Sequence, residues 1–240
     1  MTHIVAGYPT LNESKKIALL MANECVKFIE IQIPFSDPIA DGKTILKANT
    51  ESLKNGTTPA DCFKLMKEIH QKTTTPLLFM TYFNIAYSYG LEKFCKEAKK
   101  AGCYGLIIPD IPIDEENHEN YLKLCNKYNL NPIQVISPIT PEKRLKKLNK
   151  AAKGFVYCVS TTGTTGERKA LQKNLKTYLQ KVKKHIKLPI ALGFGISTPH
   201  QVKEAKKHAD IIVIGSKIIN IYNKSRKISD IKKFIQSILK

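Results

Sequence analysis

The stretch FIEIQIPFSDPIADG, residues 28–42, joins a short apolar run to a turn that contains prolines, a glycine and acidic residues. The run FIEIQI has the length and composition of a β-strand. In the lysine-rich segment that follows, apolar residues of 52–72 recur at intervals of three and four, the spacing of an amphipathic helix. The stretch therefore predicts one strand–loop–helix unit.

The same unit recurs along the chain. Short continuous apolar strands, each followed by a helix, are typical of a parallel sheet covered by helices. Eight such runs in 240 residues favour an α/β fold, a single parallel eight-stranded (β/α)8 TIM barrel forming one domain over residues 1–240, with a doubly wound sheet as the alternative. The eight runs are HIVAG (3–7), FIEIQI (28–33), PLLFMTYF (76–83), YGLIIP (104–109), PIQVIS (132–137), GFVYCVS (154–160), PIALGFG (189–195) and DIIVIGS (210–216).

Composition narrows the classes of function. The net charge is +19, but only three of the 39 basic residues are arginine, and the lysines lie on polar helix faces such as LEKFCKEAKKAG (91–102). Arginine and interleaved aromatic residues would be expected in a nucleic-acid surface, so we expect no nucleic-acid partner. No apolar run approaches the ~18 residues of a membrane span, and the N-terminus lacks the features of a signal peptide.

The cysteines indicate a reducing compartment. Six cysteines are scattered singly, without a C-x-x-C pair, which in a chain of this length predicts reduced thiols and a cytoplasmic location. No cluster of histidine and acidic residues has the spacing of metal ligands, so we expect no metal site.

Acidic residues follow the second and fourth predicted strands, where reactive groups of such barrels lie. Glu30 is either a structural acid, paired with lysine or backbone amides, or a general acid/base whose pKa is raised by burial. Asp37 and Asp41 are either turn residues or ligands. Asp110 follows strand four.

Glycine-rich loops follow the last three strands: STTGTTGER (160–168), GFGIS (193–197) and IGSK (214–217). Glycine allows close approach of the backbone, and a following helix N-terminus presents free N–H groups to an anion. The three loops together predict a phosphate site.

At this point the motifs can be compared with known families. FIEIQIPFSDPIADG, AGYP (6–9), FMTYFN (79–84), GLIIPDIP (105–112) and the three glycine loops occur in the order found in the tryptophan synthase alpha chain family, which this chain resembles over residues 6–216. The resemblance implies a barrel that cleaves indole-3-glycerol phosphate to indole and glyceraldehyde 3-phosphate. It implies no cofactor in this chain, and a pyridoxal-phosphate-dependent beta chain as partner in an alpha2beta2 assembly.

The resemblance also implies roles for matching residues. Glu30 corresponds to the acid/base that protonates the indole ring carbon C3 and helps to deprotonate the glycerol hydroxyl. Asp41 corresponds to the anion that holds the indole N–H, and Tyr157 to an active-site tyrosine. The remaining implied positions are Tyr82, Phe194 and Thr165 for substrate binding, Gly166, Gly195, Gly215 and Ser216 for the phosphate, and Pro34 and Asp37 for the partner interface.

Several positions depart from the family pattern. Gln32 stands where glycine is usual, on the same strand face as Glu30, where it could crowd or hydrogen-bond that carboxyl. Lys43 replaces a common proline, His3 a common pocket aromatic, and Val5 a common threonine. With the first strand at residue 1 or 2, the usual N-terminal helix has no counterpart, so we expect the lower barrel end to be closed by side chains or left less protected. Two alternatives remain: a sugar-phosphate epimerase or isomerase, and a weakly active or non-catalytic barrel that activates a beta chain.

Overall fold

The protein is a closed parallel barrel. The computed structural model describes residues 1–111, 113–160, 174–193 and 195–239. Its eight strands are paired in chain order: β1 (Thr2–Val5), β2 (Ile29–Gln32), β3 (Leu77–Met80), β4 (Cys103–Ile107), β5 (Asn131–Ile136), β6 (Val156–Val159), β7 (Ile190–Gly193) and β8 (Ile211–Ile212). The His3 N–H donates to the Ile214 carbonyl at 3.1 Å, and the Ile214 N–H donates to the Met1 carbonyl at 3.0 Å. These bonds join β1 to the chain after β8, so the predicted barrel is confirmed.

Helices cover the outside of the barrel. They are α1 (Leu11–Asn23), α2 (Lys43–Lys54), α3 (Pro59–His70), α4 (Phe83–Tyr89), α5 (Leu91–Lys100), α6 (Glu116–Glu119), α7 (Tyr121–Lys127), α8 (Glu142–Ala151), α9 (Leu175–His185), α10 (Pro199–Lys206), α11 (Ser216–Ser225) and α12 (Ile228–Leu239), with a 3-10 turn at Ile113–Glu115. The helical pattern predicted over 52–72 is divided between α2 and α3. A reciprocal capping box of Thr58 and Asp61 fixes the start of α3 and so separates the two helices.

Strand parity places the polar residues of β2. Because successive side chains of a strand point to opposite faces, Ile29 and Ile31 pack outward in the layer between sheet and helices, whereas Glu30 and Gln32 point into the barrel. All four side chains are buried. An acid within an apolar strand is thus explained by its inward position.

Aromatic side chains fill the lower interior, at the N-terminal ends of the strands. Phe28 lies just before β2 and packs against Tyr104 and Phe155, with ring centroids 5.5 and 5.1 Å apart. We call these three residues the aromatic plug. Side chains therefore fill this end of the barrel, which is one of the two possibilities that the sequence leaves open.

Candidate active site

The candidate site is a pocket of about 760 Å³, including its open mouth, at the carboxyl ends of the strands. One wall carries polar residues of β1, β2 and the loop after β2. Another carries residues that follow β7 and β8. The apolar lining consists of Ala40, Ile45, Met80, Ile107, Pro109, Val135, Val159, Ile196 and Val213. A pocket with few polar groups and many apolar ones suits an aromatic ligand with polar substituents.

Glu30 is paired with a histidine. The strand register places it opposite His3, and its Oε1 lies 2.8 Å from His3 Nδ1, with both side chains 5% exposed. Its partner is therefore neither lysine nor a backbone amide. Glu30 Oε2 and His3 Nε2 are buried and have no hydrogen-bond partner within the described residues. Since leaving such an atom unpaired costs about 1–3 kcal/mol, both are suited to bind a ligand.

Asp41 is the second buried carboxyl group of the pocket, 7% exposed. Its Oδ2 accepts hydrogen bonds from Gln32 Nε2 at 2.6 Å and from Asn49 Nδ2 at 3.3 Å. Burial raises the pKa of Asp41 above its usual value, although hydrogen bonding from Gln32 and the nearby His3 oppose the rise. The carboxyl group is thus oriented by two amides in a weakly hydrated place, where a developing positive charge would be strongly stabilised.

Gln32 acts on a different carboxyl group from the one expected. It lies on the same strand face as Glu30, but its amide donates to Asp41, because the loop after β2 returns over the end of the strand. Its Oε1 is buried and has no partner in the part of the chain that the structure describes. Gln32 therefore adds an acceptor to the pocket.

The loop after β2 is held in place by Tyr82 and Asn49. Ala40 N–H donates to the Tyr82 hydroxyl at 3.1 Å, Phe35 stacks on the Tyr82 ring at 5.2 Å, and Phe35 N–H donates to Asn49 Oδ1 at 3.3 Å. Tyr82 is 1% exposed and lies behind Asp41, not among the lining residues. Its contact with substrate stays a prediction, while its support of the loop is direct.

Tyr157 reaches the pocket from β6. A Cβ atom at Gly193 would lie 2.5 Å from its hydroxyl oxygen, so the tyrosine occupies the space that a side chain on β7 would fill. Burial, together with the nearby Glu30 and Asp41, raises the pKa of Tyr157 well above its ordinary value. The phenol therefore stays protonated and can serve as a hydrogen-bond donor.

The predicted phosphate positions line the opposite wall. Gly195 has φ +84°, Gly215 caps α11, and Ser216 is the first residue of that helix. Lys217 also lines the pocket and was not assigned from the sequence, although it belongs to the quoted motif IGSK. The sequence feature that could have identified Lys217 is a lysine directly after a Gly-Ser pair at the junction of a strand and a helix. Gly166, Thr165 and Phe194 lie outside the described residues.

The rim of the barrel exposes apolar residues. Pro34 is buried and Asp37 is exposed in the loop after β2, where the Ser36 hydroxyl donates to Asp37 at 2.5 Å. In the same loop Ile39 is 73% exposed, and Ile139, in the loop after β5, is 75% exposed. We call Ile39 and Ile139 the rim isoleucines.

Two of the positions that depart from the family pattern lie outside the pocket. Lys43 is the first residue of α2 and is exposed, outside the pocket lining, and Val5 is buried against that helix.

Among the described residues, no cluster of three or more histidine, cysteine or acidic side chains is placed to hold a metal ion. The same residues include no helix with the length and apolar character needed to cross a bilayer.

Comparison with known proteins agrees with this geometry. The family model described as "Tryptophan synthase alpha chain" matches residues 1–238. A tryptophan synthase alpha chain from Petrotoga mobilis is 41% identical over 99% of this chain and 93% of its own length. A tryptophan synthase alpha chain from Desulfotalea psychrophila is 43% identical over 94% of this chain and 88% of its own length.

Solved structures give the same result. A tryptophan synthase alpha-subunit variant from Pyrococcus furiosus superposes with a TM-score of 0.90 at 32% identity, over 99% of this chain and 96% of that one. A tryptophan synthase structure from Mycobacterium tuberculosis gives a TM-score of 0.91 at 26% identity, over 99% and 89%. The barrel and the pocket described above therefore belong to a member of the tryptophan synthase alpha chain family.

Proposed function

We propose that Glu30 and Asp41 carry out in this pocket the alpha reaction of the family, the retro-aldol cleavage of indole-3-glycerol phosphate to indole and glyceraldehyde 3-phosphate. The reaction makes the protein a lyase of tryptophan biosynthesis. The observation that supports these assignments is the presence of two buried carboxyl groups, held in different hydrogen-bond networks, in one largely apolar pocket.

The chemistry requires an acid and an anion. Cleavage turns an indole ring carbon into a leaving group, so the ring is first protonated at C3, the role assigned to Glu30. The protonated ring carries positive charge at its nitrogen, which Asp41 stabilises from its buried position. Tyr157 stays a neutral phenol and donates a hydrogen bond to the bound substrate.

The remainder of the substrate fits the rest of the pocket. The apolar lining holds the indole ring, as Phe194 and Tyr82 are also expected to do. Backbone N–H groups at Gly195, Gly215 and Ser216 receive the phosphate, because a helix N-terminus favours an anion. Gly166 and Thr165 are expected to complete this binding from the loop after β6.

The family works with a beta chain, to which indole is passed. For this protein we place the contact at the barrel rim, with Pro34, Asp37 and the rim isoleucines in it, in an alpha2beta2 assembly whose beta chain holds pyridoxal phosphate. Large exposed apolar side chains on two loops at the carboxyl ends of the strands support a covered surface at the rim. The six free cysteines, five of them buried, suit the reducing cytoplasm in which we place the protein.

An assay of indole release tests the proposal. The chain is given indole-3-glycerol phosphate alone and with a cognate beta chain; we expect cleavage in both cases, and faster cleavage with the partner. Glu30→Gln should reduce kcat by roughly 10²-fold or more, the usual scale for loss of a general acid. Near-normal cleavage by that folded variant would refute the role of Glu30.

The same assay separates the alternatives. A sugar-phosphate isomerase would leave indole-3-glycerol phosphate intact, and a non-catalytic activator would stimulate the beta reaction without cleaving it. For the interface, Ile39→Asp should weaken stimulation by the beta chain. Leu53→Asp is the matched control, since Leu53 is also exposed but lies near the opposite end of α2.

A further inference from the structure

His3 and Glu30 form a buried pair. The proposed reaction gives a role to Glu30 but none to His3. They face each other from adjacent strands, with 2.8 Å between Nδ1 and Oε1. Both residues line the pocket. A histidine that served only to hold its neighbour would be expected to have its second nitrogen bonded to protein, because buried polar atoms are normally paired.

The second nitrogen is not paired in this way. His3 Nε2 and Glu30 Oε2 each lack a hydrogen-bond partner in the described parts of the chain, and each belongs to a pocket-lining side chain. The pair thus leaves one imidazole nitrogen and one carboxyl oxygen without a protein partner in the described residues, and the contact between Nδ1 and Oε1 links the two side chains. This is the geometry of a pair that can exchange protons with one ligand at two points.

The cleavage needs two proton transfers. One proton must reach ring carbon C3, and another must leave the substrate hydroxyl that becomes the aldehyde. We infer that His3 is the second proton-transfer group of the reaction, accepting the hydroxyl proton at Nε2 while Glu30 delivers a proton to the ring from Oε2. This inference rests on the proposed function and adds to it a residue for the second transfer.

The protons and electrons balance within the pair. Glu30 begins protonated at Oε2, and neutral His3 donates its Nδ1–H to Oε1. Transfer of the Oε2 proton makes the C–H bond at C3. The hydroxyl proton then passes to Nε2 as its oxygen forms the C=O bond, and the electrons of the broken C–C bond return to the ring. One proton moving from imidazolium to carboxylate through water restores the pair.

The surroundings of His3 support a base at this point. In the described parts of the chain, the titratable groups around the pair are Asp41 from the loop after β2, Tyr157 from β6, Lys217 from the start of α11, and the amino group of Met1, which interacts with Glu30. Asp41 is occupied by two amide donors and serves the ring nitrogen. Among the described residues, His3 Nε2 is therefore the unpaired buried nitrogen that lies on the side chain paired with Glu30.

Two substitutions separate proton transfer from positioning. His3→Asn keeps an atom near the place of Nδ1, and so the hydrogen bond to Glu30, but removes Nε2. His3→Gln places an amide near Nε2 that cannot accept a proton. We expect both to bind substrate with KM within about threefold of the parent, to lose roughly 10²-fold in kcat, and to lose the limb of the kcat–pH profile that belongs to the base.

Two outcomes would overturn the role of His3 in proton transfer. If His3→Asn folds and keeps both the kcat and the pH profile of the parent, His3 is a positioning residue and the inference is wrong. If the unsubstituted chain releases no indole with or without a beta chain, the proposed function fails first and this inference falls with it. Activity of the parent thus distinguishes the two failures.

A measurement on the unsubstituted protein does not depend on how the variants fold. Long-range ¹H–¹⁵N spectra of the imidazole at pH 7 should show His3 protonated at Nδ1 and unprotonated at Nε2. The opposite tautomer, with the proton on Nε2, would overturn the inference because that nitrogen could not accept a proton.

Discussion

The two walls of the pocket differ in how they present polar groups. On the wall made by β1, β2 and the loop after β2, the groups are the side chains of His3, Glu30, Gln32 and Asp41, fixed by hydrogen bonds to one another. On the wall that follows β7 and β8, glycines expose backbone, and α11 begins at Ser216. Under the proposed function the first wall transfers protons and the second binds the phosphate, so substitutions in the two walls should affect different kinetic constants.

After Glu30→Gln, the largest effect is expected from Asp41→Asn on the first wall. Asparagine can still accept the hydrogen bonds from Gln32 and Asn49 but carries no charge, so it loses the stabilisation of the protonated ring. We expect kcat for indole release to fall roughly 10²-fold, the scale seen when one preorganised electrostatic group is removed. Asp230→Asn on α12 is a control that lies far from the pocket. If Asp41→Asn instead raises KM alone, the division between the walls is wrong.

An intermediate effect is expected from Lys217→Met on the second wall. Loss of a cation beside the phosphate should raise KM roughly tenfold, equivalent to ~1.4 kcal/mol, and leave kcat nearly unchanged. The rise should shrink in high salt, since screening weakens the charge of the parent lysine. Lys43→Met is the matched control, because Lys43 begins α2 but is exposed outside the pocket. Equal effects of both substitutions would show that only net charge matters.

The smallest effect concerns stability. Because burial raises the pKa of Asp41, the folded protein binds this proton more tightly than the unfolded chain, and ionisation above the folded-state pKa reduces stability. Asp41→Asn should therefore raise Tm at pH 7–8 by about 2–4 °C, the change that ~1 kcal/mol produces in a domain of this size. The gain should vanish as pH falls below the ordinary aspartate pKa. Thermal unfolding at pH 4 to 8 measures this, and a lower Tm for the variant at pH 8 would contradict it.

Much of the barrel follows from local sequence patterns, and the exceptions have physical causes. All eight apolar runs contain strands, because short β-branched segments between amphipathic helices have few other ways to be buried. The last run, 210–216, contributes only two residues to β8, since Ile214 instead bonds across to β1 and closes the barrel. Closure depends on contacts between chain ends, which no local pattern encodes.

Several residues of the pocket could be predicted from the sequence, but the pairs that they form could not. Glu30 and Asp41 stand out as acids at a strand end, and both line the pocket. The pairing of His3 with Glu30 requires the register between β1 and β2, and the bond from Gln32 to Asp41 requires the path of the loop. Both are tertiary properties, so the sequence could place Gln32 near an acid without revealing which one.

The aromatic plug determines at which end of the barrel the product can leave. With Phe28, Tyr104 and Phe155 packed across the lower interior, the described part of the chain leaves an apolar product no downward route. Indole released in the pocket is therefore expected to leave at the carboxyl ends of the strands, where the pocket opens. Because the aromatic plug fills the lower interior and exposed isoleucines lie in loops at the upper rim, a chain bound at the rim would receive the product directly.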